Sequence, residues 1–229
     1  MKAQKFYDEL RSRTDSLWQA TLKHPFVQGI GNGDLARDRY EFFLKQDYIY
    51  LIEFSRVTAL GTAKGKSLND MSYFATMLQG TLNIEMDLHR KTCSAFGIPA
   101  EELENTEPAM ITTAYTSLLI RTCYEGDFAD IMAVLLPCAI GYVEIGKKLK
   151  EQGLPKDRFY QDWINTYSSK EFEDFANWLI DQMNQLADGA KQERKNKWFK
   201  MFQTSARFEY LFFDMSWKKE FWPEGIPIK

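Results

Sequence analysis

The chain reads as an all-α, single-domain helical bundle. Three observations predict this. Apolar residues recur at a 3.6-residue spacing along nearly every long segment. Period-two alternation bounded by turn residues is absent. Short Gly- and Pro-marked connections join the segments, as between neighbours in a bundle. A length of 229 residues suits one large domain and is enough to bury a substantial core. No internal repeat or low-complexity linker divides the chain, so residues 1–229 are expected to form one domain.

The first predicted helix spans roughly Lys5 to Lys23, with Phe6, Leu10, Leu17 and Leu22 as its apolar positions, and His24-Pro25-Phe26 ends it. Val27 to Asp34 then reads as a glycine-rich loop whose glycines serve turn chemistry and close packing. It is not GxGxxG and follows no strand, so a dinucleotide reading has little support. A second helix is expected from Arg37 to Lys64, with Tyr40, Phe43, Leu44, Asp47, Leu51, Phe54, Thr58 and Gly61 on one stripe. Ser67 can cap a third helix with Asp70 in its first turn. The stripe of that helix runs Phe74, Leu78, Thr81, Glu85, Leu88, Thr92 and Phe96, and Gly97 closes it. After a short connection between Pro99 and Pro108 comes a helix over Ala109 to Tyr124 carrying Tyr115.

Asp127 to Gln152 forms a long helical pattern, and Pro137 inside it predicts a kink. Cys138 and Tyr142 lie four residues apart on one face, and Gly141 and Gly146 leave bare patches beside them. This could be a pocket wall. A buried thiol acting as a small hydrophobe beside a core tyrosine accounts for the same spacing. Further helices are expected over Arg158 to Tyr167, Lys170 to Leu186 and Gln192 to Glu220, the last with Glu209 on its apolar face, before a terminal tail at Pro223 to Pro227.

Composition removes several function classes. Disorder is incompatible with 45% hydrophobic and 15% aromatic residues. A net charge of −3 with interspersed signs gives no footprint for nucleic acid. No run of 18 apolar residues predicts a membrane span. The N-terminus passes into a helical pattern without a secretory apolar region. Cys93, Cys123 and Cys138 make neither a disulfide framework nor a zinc pattern, which points to a reducing, cytoplasmic compartment. Neither histidine follows a Glu by three residues, as bundle di-iron sites require, and Glu85 with His89 has no second pair. His24, the one axial candidate for haem, directly precedes a proline. No metal and no cofactor are therefore expected.

Asp47, Glu85 and Glu209 are three carboxylates on apolar stripes. Each alone can be a structural group bonded to a neighbouring helix. Together they carry a desolvation cost that a shared polar cavity would explain.

An ordered set of segments extends this. His24-Pro25-Phe26-Val27-Gln28-Gly29-Ile30-Gly31, Gln46-Asp47-Tyr48-Ile49-Tyr50-Leu51, Glu85-Met86-Asp87-Leu88-His89-Arg90, Ala114-Tyr115-Thr116-Ser117, Leu135-Leu136-Pro137-Cys138, Trp163-Ile164-Asn165-Thr166-Tyr167 and Phe208-Glu209-Tyr210 resemble the TenA family, also called thiaminase II or aminopyrimidine aminohydrolase. The resemblance covers nearly the whole chain. It implies a haem-oxygenase-like bundle without haem, assembled as a homotetramer. The implied activity belongs to thiamin salvage: hydrolysis of 4-amino-5-aminomethyl-2-methylpyrimidine to the hydroxymethyl pyrimidine and ammonia, and slower cleavage of thiamin. By matching position it makes Cys138 the nucleophile and gives Glu209 the leaving amine and incoming water. Asp47 would hold the ring nitrogen and exocyclic amine. Tyr115, Tyr142 and Tyr167 would line the ring slot, and Tyr50 would support Cys138. A non-catalytic pyrimidine-binding or regulatory protein on the same fold remains the alternative, and an oxidase on this fold is disfavoured by the shortage of histidines. Nothing in the sequence supports direct DNA binding.

Overall fold

A computed structural model describes residues 5–223, the Leu88 side chain excepted, and every regular element among them is helical. Residues 224–227 of the expected tail lie outside this range. Twelve α-helices follow one another: α1 (Phe6–Arg13), α2 (Asp15–Leu22), α3 (Pro25–Asn32), α4 (Arg37–Lys64), α5 (Leu68–Gly80), α6 (Met86–Ala95), α7 (Ala100–Glu104), α8 (Met110–Glu125), α9 (Phe128–Gln152), α10 (Arg158–Tyr167), α11 (Lys170–Ala187) and α12 (Gln192–Lys218). A π-helical turn, Thr81–Glu85, joins α5 to α6.

Three expectations need correction. The first predicted helix is two helices. Thr14 leaves helical geometry at φ −114° and ψ 9°, its hydroxyl donates to the Leu10 carbonyl, and it accepts from Trp18 Nε1–H at 2.9 Å. The glycine-rich stretch is the helix α3 and not a loop. Pro25 opens it at the position where a missing N–H costs nothing. His24 Nδ1 accepts the Phe26 N–H, and Gly33 ends it in the left-handed conformation at φ 77°. Gly31 is small because Leu149 of α9 lies where a Cβ would go, so the close-packing part of the expectation stands. The third predicted helix is interrupted by the π turn, which inserts one extra residue and re-aims the side chains after it.

Two helix starts are built alike. Ser67 and Asp70 form a reciprocal capping box at α5, and Asp127 and Asp130 do so at α9. Asp130 is buried. It also receives Lys197 Nζ at 2.8 Å and Trp198 Nε1 at 3.1 Å, which pin α12 to the start of α9. The Lys197 ammonium and the Arg194 guanidinium help hold its carboxyl below the usual range against the opposing effect of burial.

Helix α9 is the axis of the bundle and packs against α3, α4, α8, α10, α11 and α12. It runs unbroken through Pro137. By length and composition it could cross a membrane, but 89% of its apolar window is covered by the other helices, as expected of a central core helix. The bare patches on α9 admit neighbouring helices. Gly141 takes the ring edge of Trp18, and Gly146 takes the backbone of Tyr167 and Ser168. A Cβ at Gly146 would lie 2.8 Å from Ser168 N and Tyr167 C. Backbone cannot swing aside as a flexible side chain can. Gly146→Ala is therefore expected to cost about 1–3 kcal/mol. A thermal melt should show this as a Tm loss of about 2–4 °C per kcal/mol. An unchanged Tm would show that α10 shifts freely.

Candidate active site

Between α4, α5 with its π turn, α9, α10 and α11 lies a cavity of about 450 Å³. That volume falls within the range of about 300–1,000 Å³ usual for small-molecule sites. Asp47 and Tyr50 of α4, Glu85 of the π turn, Cys138 and Tyr142 of α9 and Tyr167 of α10 all line it. The four-residue spacing of Cys138 and Tyr142 places both side chains on one wall. Farther out the wall is apolar, with Tyr73, Met77, Ile84, Phe172 and Phe175.

The α9 end of the cavity carries the thiol. Glu209 of α12 stands behind the wall, buried, within hydrogen-bonding reach of the Cys138 thiol. The Tyr115 hydroxyl of α8 donates to Glu209 Oε1 and lies 3.1 Å from Ser205 Oγ. Ser205 in turn donates to the Val134 carbonyl at 2.7 Å. This relay supports both states of the acid: ionised Glu209 accepts from Tyr115, and protonated Glu209 can donate to Tyr115, which turns its proton toward Ser205. Burial raises the Glu209 carboxyl to about 7, opposed by the bonds from Tyr115 and Cys138. Burial also pushes the Cys138 thiol well above its ordinary range, with the Glu209 charge adding to it. The resting group is a thiol, and Glu209 is the carboxyl beside it that could accept its proton. The Tyr50 hydroxyl is buried, faces Cys138 and has no hydrogen-bond partner of good geometry among the described residues.

At the other end sits Asp47. Burial pushes its carboxyl well above the ordinary range, and the charges of Glu85 and Glu209 push it further. His89 Nε2 donates to the Leu44 carbonyl at 2.6 Å, and burial lowers the pKa of its ring. Neutral His89 therefore presents an unprotonated Nδ1 toward Asp47 Oδ2, 3.9 Å away. A protonated Asp47 offers one donor and one acceptor side by side. The rings of Tyr142 and Tyr167 pack at a tilt of 56° with 4.5 Å between centroids, and Trp163 packs against both.

The structure thus brings Asp47, Tyr50, Cys138, Tyr142 and Tyr167 to one cavity. Glu209 reaches the thiol from behind. Tyr115 is placed differently from the expected ring slot: it lies outside the cavity wall, stacked on Phe208, with its hydroxyl on Glu209. Ser205 and His89 complete the polar network and were not identified as its members from sequence. Ser205 lies on the Glu209 face of α12, one helical turn earlier, and this was the available signal.

A sequence model of the TENA/THI-4/PQQC family matches residues 11–219. The chain belongs to this family. An aminopyrimidine aminohydrolase of Halalkalibacterium halodurans is 44% identical over 95% of this chain and 97% of its own length. The enzyme of the same name in Bacillus subtilis is 37% identical, over 96% and 93% respectively. Among solved structures, a TenA family transcription regulator from Silicibacter sp. TM1040 superposes with a TM-score of 0.87 at 30% identity, covering 93% of this chain and 96% of that one. A haem oxygenase-like domain from Shewanella denitrificans superposes with a TM-score of 0.71 at 15% identity, covering 93% of this chain and 92% of its own, and shares the fold. The TENA/THI-4/PQQC match takes in every site residue named above, from Asp47 to Glu209.

Proposed function

We propose that this chain is an aminopyrimidine aminohydrolase of thiamin salvage, a hydrolase that works through Cys138. The observation that carries this reading is the pairing of two unlike ends in one cavity. Asp47, whose carboxyl burial and the neighbouring acids push toward the protonated form, presents in that form a donor–acceptor pair complementary to a ring nitrogen and its neighbouring exocyclic amine. Across the cavity a thiol lies beside an acid near neutrality. The rings of Tyr142 and Tyr167, packed against each other on one side of the cavity, give an aromatic surface on which a flat ring can lie.

The chemistry runs in steps that balance. Glu209 takes the Cys138 proton, and Sγ adds to an electrophilic ring carbon made more so by the Asp47 proton at the ring nitrogen. The displaced electron pair expels the amine from the methylene carbon, with Glu209 returning a proton to it. Water then adds to the exocyclic methylene, giving its proton to Glu209, and the thiolate departs as the ring regains its aromaticity. The apolar outer cavity has room for a larger leaving group, as cleavage of thiamin would require. Incubation with 4-amino-5-aminomethyl-2-methylpyrimidine should release ammonia and the hydroxymethyl pyrimidine in equal amounts. Binding without release would instead support the regulatory reading.

Residues 1–229 are proposed to act as one domain, in the cytoplasm, where three unpaired cysteines suit the redox conditions. They are also proposed to assemble as a homotetramer. Large apolar side chains are left in solvent at Leu68 (84% exposed), Ile84 (67%) and Tyr124 (72%). Light scattering should find a species of four 26.8 kDa chains; a lone monomer would reject the assembly.

A further inference from the structure

The proposed reaction leaves one carboxylate of the cavity without a task. Glu85 lines the cavity beside Asp47, and its side chain makes no hydrogen bond to another described residue. It is held there by the π turn, which puts Gly80, Thr81, Ile84 and Glu85 together on the cavity wall. π turns of this kind cost helix geometry and are retained mostly where a side chain must be re-aimed. The wall near Glu85 is the outer one: Ile84, its neighbour, is largely exposed, whereas Glu209 is buried behind the thiol.

Charge around the cavity is one-sided. Its described wall carries Asp47, Glu85 and, at the rim, Glu171, and no Lys, Arg or His. Burial holds the Glu85 carboxyl near 7, and its charge in turn works against the ionisation of Asp47. With Asp47 pushed toward its protonated form, Glu85 is the carboxylate that a cation in this low-dielectric space would stabilise. The buried Tyr50 hydroxyl, which also lines the cavity, faces the Cys138 thiol and makes no hydrogen bond to an oxygen or nitrogen of the described residues, so it can turn to a ligand.

We propose that Glu85 is a specificity-determining residue, whose carboxylate recognises a positive charge that the substrate carries outside its pyrimidine ring, as an ammonium on the methylene or a quaternary heterocycle in its place. This rests on the aminopyrimidine reading of the site. A ring held by Asp47 through its nitrogen and 4-amine presents the neighbouring 5-methylene substituent to a flanking acid. An alkylammonium is the dominant form of such an amine at neutral pH; it departs as ammonia when the electron pair of the C–N bond leaves with it, and the ammonia then takes up the proton that Glu209 holds. Glu85 therefore admits the charged substrate, and the neutral hydroxymethyl product, having lost that charge, is held more weakly.

The test compares two pyrimidines of one shape and different charge. Calorimetry would measure binding of the 5-aminomethyl and the 5-hydroxymethyl pyrimidine to the full chain, in a Cys138→Ser background that cannot turn over. Glu85→Gln is expected to weaken the aminomethyl ligand by about 10- to 100-fold, the range for a lost charged hydrogen bond, and to leave the hydroxymethyl ligand within about twofold. Glu85→Asp, which keeps the charge, should recover part of the loss and shows whether any Glu85→Gln effect is a folding defect. In the active enzyme KM should rise with kcat little changed. Equal weakening of both ligands, or no weakening of either, would overturn the proposal. Failure of the wild-type chain to release ammonia would overturn the aminohydrolase reading by itself, and the binding comparison would still decide the role of Glu85.

Discussion

Cys138→Ser is expected to abolish ammonia release, by about 10³-fold or more, while leaving pyrimidine binding nearly intact. The serine hydroxyl is close in size to the thiol, so the Tyr142 and Tyr167 walls are undisturbed. Its oxygen is much harder to deprotonate, and Glu209, near 7, cannot take that proton to any useful extent. Cys93 supplies the control. It is buried outside the cavity lining, and burial pushes its thiol up to about 12. Cys93→Ser should therefore retain turnover per folded molecule. Single-turnover assays with both variants decide the matter. If Cys138→Ser turns over at the wild-type rate and Cys93→Ser does not, the nucleophile has been assigned to the wrong residue.

Asp47→Asn and Glu209→Gln should fail in different ways. In the proposed reaction Asp47 meets the ring in the ground state, so its amide variant should bind the pyrimidine less tightly and also turn over more slowly. The amide can still offer a donor and an acceptor, but it has no proton to give to the ring nitrogen. Glu209 stands behind the thiol and off the cavity wall. Its glutamine variant should bind normally and lose about 10²–10⁴-fold in kcat, the range for a missing general acid–base group. The limb of the kcat–pH profile near 7, rising as Glu209 ionises, should vanish with it. Stability gives a second readout. The folded chain raises this carboxyl from 4.5 to about 7, so at intermediate pH the folded state binds more protons than the unfolded. The stabilisation of wild type relative to Glu209→Gln should be fully present below about pH 4.5 and be lost as pH rises through about 7. A salt-bridged carboxylate would show the reverse. Equal loss of affinity in the two variants, or activity that merely follows the folded fraction, would end the division of roles.

Much of this molecule was legible before its structure. The long stripes of α4, α9, α11 and α12 were visible because each buries one continuous face, and burial imposes the 3.6 spacing directly on the residues. Asp47, Glu85 and Glu209 stood out for the same reason, as charges placed where the spacing calls for apolar side chains. The cap at Ser67, with Asp70 in the first turn, was legible because such hydrogen bonding is local and written in residues three apart.

What sequence alone determined, then, is the helical class, the central helix with Cys138 and Tyr142 on one face, and the inward-facing acids. Tertiary structure decided the rest, because each remaining feature depends on atoms distant in the chain. The glycines of α3 signal a loop, but Leu149 and Leu35 occupy the space of their missing side chains. Gly141 and Gly146 signal a pocket wall, but Trp18 and the end of α10 fill those gaps. Tyr115 carries the same helical signal as Tyr142, yet α8 sets its hydroxyl on Glu209, 94 residues away, and off the cavity lining. The π turn adds one residue to a stripe that looks unbroken and so aims Glu85 beside Asp47. Proton affinities belong to this second group as well. No carboxyl or thiol has a pKa near 7, or far above its ordinary range, until other helices remove its water and set other charges against it.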